Sequence, residues 1–178
     1  MKIKITNLFR PLLFVALSVA VFACKKKNDD TPAPANIITA GNASHKISHA
    51  YHEASETGRY HALVFTSEGL EIKDGDYTGS GKLMLVYIDT EKDAATTADA
   101  VLLPEGVYTS EKIEGTVYAD ILNDQVVSAN TVELTDSEIN VTKSGETYTI
   151  RIKSRDGNKN EAYEIYYKGK LEEASIAL

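Results

Sequence analysis

The sequence predicts an all-β domain, an antiparallel β-sandwich or partly closed barrel of about nine or ten strands. Three observations predict it. Apolar and polar residues alternate with period two through several runs, the signature of a sheet with one wet face. Turn residues (Gly, Asn and Asp) separate those runs at short spacing. β-branched residues and tyrosine dominate the runs, as a pleated surface favours. The stretch most like a helix, residues 90–100 (TEKDAATTADA), has no apolar stripe and reads as a loop or one short turn.

The elements follow in chain order. Residues 1–23 begin with Lys2, Lys4 and Arg10, continue as a nearly all-apolar run from Leu12, and end on the small Ala23. That layout is a bacterial export signal. Its apolar part is about a dozen residues, short of the ~20 that a bilayer-spanning helix needs. The chain's one cysteine, Cys24, follows at once. No second cysteine exists to form a disulfide, so the domain must be stabilised by its core.

The segment VFAC (21–24) resembles the lipobox of bacterial lipoproteins, usually Leu-Ala-Gly-Cys with substitutions. Val21, Ala23 and Cys24 fit it, and Phe22 is bulkier than usual. The resemblance implies that Cys24 becomes the first mature residue and carries acyl chains such as palmitate on its sulfur and its amine. Each buried CH₂ contributes ~0.8 kcal/mol, and more than one chain gives stable anchoring. Residues 28–36 (NDDTPAPAN) hold two prolines and no large apolar residue. They read as a tether. The organisation expected is therefore signal peptide 1–23, lipidated tether 24–36 and a single all-β domain 37–178. Lys25, Lys26 and Lys27 precede two acids. This order resembles the export signal of surface lipoproteins in Bacteroidetes, and implies an outer-membrane, surface-exposed protein. The whole N-terminus is similar to that of small Bacteroidetes lipoproteins of unknown function, a resemblance that implies no activity.

Cleavage after residue 23 would remove three basic and no acidic residues, taking the formal charge from −7 to −10. Such a surface argues against nucleic acid, whose phosphates need Lys and Arg clusters. It also argues against electrostatic docking to anionic lipid. The membrane contact expected is acylated Cys24, and the other partner a basic or neutral protein or glycan.

In the domain, all four histidines fall within residues 45–61. On a helix His45, His49 and His52 would share a face and could share a metal. On a strand His45 and His49 share a face, His52 points away, and His49 could meet His61 from a neighbouring strand. His45, His49 and His61 are thus metal candidates, although zinc wants three or four ligands and solvated or structural histidines are the simpler reading. DGDYT (74–78) and EGVYT (105–109) repeat one order 31 residues apart, which reads as two hairpins with the same turn chemistry. GDYTGSGKL (75–83) lacks the residues of a phosphate-binding loop: Asp76 stands where glycine is required and Leu83 where Ser or Thr would hold magnesium.

KLMLVYI (82–88) is apolar on both faces and predicts a central, covered strand. Asp89, Glu91 and Asp93 alternate like the start of a calcium loop. Ala94 then stands where glycine belongs and Ala100 where a bidentate Glu belongs, so solvated acids on a turn are the simpler reading. SEINVTK (137–143), ETYTIRIKS (146–154) and EAYEIYYKGKL (161–171) are alternating strands joined by turns at 144–145 and 156–158. No G-x-S-x-G elbow appears, and no pair of acids is singled out by spacing. No Gly-x-Trp follows the tether, unlike lipocalins; the chain has no tryptophan. No catalytic residue and no cofactor is expected. The function that emerges is a non-enzymatic, membrane-anchored binding or structural module. The alternatives are a metal-dependent or acid/base hydrolase, or a barrel carrying a small apolar ligand.

Overall fold

The computed structural model describes residues 36–91 and 102–174. Residues 1–35, and with them the expected signal, Cys24 and nearly all of the expected tether, lie outside the described residues. So do Asp93 and residues 92–100 of the helix-like stretch.

Eight strands form a closed antiparallel ring in chain order: β1 (Ile37–Ala40), β2 (Ala43–Ala54), β3 (Tyr60–Ser67), β6 (Gly81–Asp89), β8 (Ile113–Leu122), β10 (Val132–Ser144), β11 (Thr147–Asp156) and β12 (Glu161–Gly169). Each pairs with the next, and β12 pairs with β1. This is an up-and-down barrel. The expected choice between sandwich and barrel resolves to the barrel. β10 provides the closure, because its first residues, Val132 and Glu133, pair with Tyr118 and Val117 of β8. The remaining strands lie outside the ring: β4 (Leu70–Lys73), β5 (Asp76–Gly79), β7 (Gly106–Tyr108), β9 (Gln125–Val126) and β13 (Glu172–Glu173).

Period two fills the interior. Ile150 and Ile152 of β11, Ile139 and Val141 of β10, and Tyr163, Ile165 and Tyr167 of β12 all point inward, as their alternation requires. They meet Leu63 and Phe65 of β3 and Met84, Val86 and Ile88 of β6. Small eight-stranded barrels either fill with side chains or hold one small ligand. Here five tyrosine and phenylalanine rings of the ring strands occupy the interior, among them Phe65 set edge-on to Tyr167 at 5.7 Å between ring centres.

β6 is apolar on both faces, as expected, and both faces are covered. Its outward Leu83 and Leu85 join Ala62 and Val64 of β3 beneath the β4–β5 hairpin, whose Leu70 and Ile72 close the cluster. The first DGDYT-type repeat is the turn of this hairpin, with Asp74 and Gly75 at φ 50° and 89°. The second is not a hairpin. Gly106 and Tyr108 lie within β7, which pairs with β10. The burial of Leu103 and Tyr108, and the Tyr108 hydroxyl donating to the Pro104 carbonyl at 2.8 Å, hold that segment against the barrel instead.

The barrel has two unlike ends. Asn36 leads into β1 beside the end of β12, where its side-chain amide donates to the Lys168 carbonyl (3.2 Å) and accepts from the Lys168 N–H (2.8 Å). This tether end also carries the β2–β3 and β10–β11 turns. The far end carries the β1–β2 turn, the β8–β10 connection and the β11–β12 turn. Eight steps of β11, from Tyr148 to Asp156, separate the two by roughly 26 Å.

Candidate functional site at the far end of the barrel

Inward positions turn polar as the strands reach the far end. On β6 and β8 the last cross-strand pair of the interior face is Lys82 and Asp120, two residues beyond Met84 and Tyr118. The Lys82 ammonium meets Asp120 Oδ1 at 2.5 Å, and the Asn130 amide donates to Oδ2 at 2.9 Å. Asn130 closes a 3₁₀ turn, Ser128–Asn130, that brings the β8–β10 connection over the rim. His45 faces the same side, being paired with the inward Ile38. Burial lowers its pKa, the Lys82 charge lowers it further, and Asp120 opposes both.

Beneath this rim Tyr118 and Tyr163 are tilted against one another, 5.1 Å between ring centres. Burial, then the nearby Asp120, Tyr163 and Glu161, push the Tyr118 phenol up to about 12. Both phenols therefore stay neutral and act as hydrogen-bonding groups.

On β11 the inward series Ile150, Ile152 continues through Ser154 to Asp156. Asp156 is 2 % exposed. Its Oδ1 accepts the backbone N–H groups of Asn158 (2.8 Å) and Lys159 (3.2 Å), which folds the β11–β12 turn around it. Glu161 stands opposite it on β12. A pocket of about 700 Å³ lies between this turn and the β9–β10 connection. Asp156, Asn158 and Lys159 line one side, and Ser128, Val132 and Glu133 the other. What it offers chemically is a polar lining with two carboxylates, one of them buried, against a single cation, Lys159.

The histidines expected as metal candidates are separated by a β-bulge. Ser48 is the extra residue: Ile47 pairs with Ser67, and His49 already pairs with Thr66. One added residue reverses the alternation. His45 and Ile47 therefore face inward, whereas His49 lies on the outer face, stacked on Tyr51 at 5.7 Å and bound to Glu172 at 3.0 Å. The same bulge turns His52 inward, not away. His61 meets it there, at the tether end, and His49 does not. His52 Nε2 lies 2.8 Å from His61 Nδ1, and His61 Nε2 lies 2.9 Å from the Gly58 carbonyl. The carbonyl can only accept, so His61 carries its proton on Nε2 and His52 must donate to Nδ1. Burial lowers the pKa of both rings, that of His52 to about 4.

The acidic candidates are also engaged separately. Asp89 receives two bonds from the Arg59 guanidinium, at 2.9 and 2.7 Å, and Glu91 pairs with Lys112 at 3.2 Å. Arg59 first, against a smaller effect of burial, holds the Asp89 carboxyl below the usual range. Among the described residues no three His, Cys, Asp or Glu side chains group as metal ligands would.

Three features had no counterpart in the sequence reading: the inward Asp156, the His52–His61 pair, and a buried chain of hydroxyls from Thr116 through Ser137 (2.9 Å) to Ser154 (2.8 Å). Only Asp156 carried a readable signal, as the next inward position after Ile150, Ile152 and Ser154. No protein-family model, curated protein or solved structure matches this chain.

Proposed function

We propose that this chain is a lipid-anchored binding module of the bacterial outer membrane. Acylated Cys24 holds it, and it meets a protein or glycan partner at the far end of its barrel. The observation that supports this reading is the opposition of the two ends. The chain enters the barrel at Asn36, pinned to Lys168, while the pocket beside Asp156 lies at the other end of β11. A module tethered at one end presents the other to its surroundings. The side-chain-filled interior favours this reading over a carrier of an apolar ligand. The separation of His45, His49 and His61 favours it over a metal-dependent hydrolase.

Labelling expressing cells with radioactive palmitate tests the anchor. Label is expected on the wild-type chain and absent from Cys24→Ser, with mass spectrometry giving Cys24 as the first mature residue. An unmodified thiol, or a mature N-terminus elsewhere, overturns the proposal.

A further inference from the structure

We infer that the far-end pocket binds a primary ammonium group on a short aliphatic stem, with Asp156 as its counter-ion. This deepens the reading of the far end as the binding end and rests on it.

An ionised carboxylate has about four acceptor positions on its two oxygens. Asp156 uses Oδ1 for the Asn158 and Lys159 backbone N–H groups. Among the described residues nothing donates to Oδ2. Yet Oδ2 is not sealed in: Thr66 Oγ1 is the one fully enclosed side-chain oxygen or nitrogen without a partner among the described residues. Asp156 lines the pocket, and Oδ2 is the carboxylate oxygen left for a ligand there. A carboxylate this buried is costly to leave unpaired. The inward Lys82 at the same end is already held by Asp120 at 2.5 Å.

The surroundings select the class of ligand. Glu133 lines the same pocket and Glu161 faces Asp156 across the ladder, so acids outnumber the one lining cation, Lys159. That balance favours a positive group over a neutral donor. Val126, Ala129 and Val132 give an apolar stretch of wall for an alkyl stem, and the Ser128 and Thr131 hydroxyls flank it. An alkylammonium has two natural sources, a free diamine or the lysine side chain of a partner protein.

Isothermal titration of the full-length lipidated chain in detergent tests this, with two probes. These are 1,5-diaminopentane for a free diamine and Nα-acetyl-lysine methylamide for a lysine side chain. Binding of at least one probe is expected, and the tighter one names the source. The neutral isostere 1,5-pentanediol should not bind. Asp156→Asn keeps an oxygen for the two backbone donors and removes the charge, so affinity should fall at least about tenfold. Glu133→Gln removes an equal charge from the rim and should cost less than about threefold.

Equal losses in the two variants, or no binding of either probe, overturn the inference. If Asp156→Asn does not fold, amide chemical shifts of the wild-type chain decide instead. Added amine should move the Asn158 and Lys159 N–H signals first, and shifts confined to other residues overturn the inference. Palmitate labelling of the same preparation reads the anchoring separately, so a labelled chain that binds no amine loses only this inference.

Discussion

Acidification should unfold this barrel through one buried ring. His52 is 6 % exposed and sits against His61, and its folded pKa is lowered from 6.5 to about 4 by burial first and the neighbouring ring second. The sign follows from which state binds the proton. Below pH 6.5 the unfolded chain takes a proton on His52 that the folded chain refuses, down to about pH 4. Stability is therefore complete above pH 7, falls as the pH drops through 6.5, and levels off below 4. Each pH unit inside that window costs up to about 1.4 kcal/mol, so between pH 7.5 and 4.5 His52 alone removes on the order of 2–3 kcal/mol. That is a large part of the stability of a small domain. His61 is shifted in the same direction, also by burial, so its titration adds to the loss with the same sign. The control is His52→Gln, whose amide can still donate to His61 Nδ1 and does not titrate. Urea midpoints read from tyrosine fluorescence at half-unit pH steps give the slope for each protein. The variant should lose about 2–3 kcal/mol less than wild type over the window. Identical slopes would refute the assignment of acid sensitivity to this ring.

Three further outcomes follow from particular contacts. Thr66 Oγ1 is buried without a partner among the described residues, so Thr66→Val should raise stability by about 1 kcal/mol, seen as a higher Tm; a lower one would mean the hydroxyl has a use. The Tyr51 hydroxyl accepts the Ile72 N–H at 3.0 Å and ties the β4–β5 hairpin to the barrel. Tyr51→Phe should cost about 1–3 kcal/mol and speed hydrogen exchange at Ile72 in particular. Gly79 has φ 102°, and a Cβ there would stand 2.1 Å from the Gly69 carbonyl oxygen. Gly79→Ala should therefore destabilise the hairpin by more than about 1 kcal/mol, with near-native protection retained in β10 to β12.

The parts of this fold that were legible in the sequence are those decided by local alternation. Residues 147–153 and 163–167 could be placed in strands, with the right face inward, because each neighbouring pair of side chains points opposite ways whatever the partner strand. Closure of the ring was not legible. It depends on two residue pairs between β8 and β10 and on a four-residue β1, contacts too few to leave a pattern. The histidines were misplaced for a related reason. A single added residue, Ser48, reverses every face beyond it, and nothing about serine announces a bulge. Asp156 has the residue type of a turn, beside Gly157 and Asn158. It stands at one, but it is also the last inward position of β11, and the turn bends around its carboxylate.

The position of β1 has a mechanical consequence. It is hydrogen-bonded on both edges, to β12 and to β2, and any pull delivered through residue 36 runs along its axis. Such a load strains both ladders at once, in shear, instead of opening them bond by bond. A four-residue strand paired on both edges thus resists an axial pull that would peel an edge strand away.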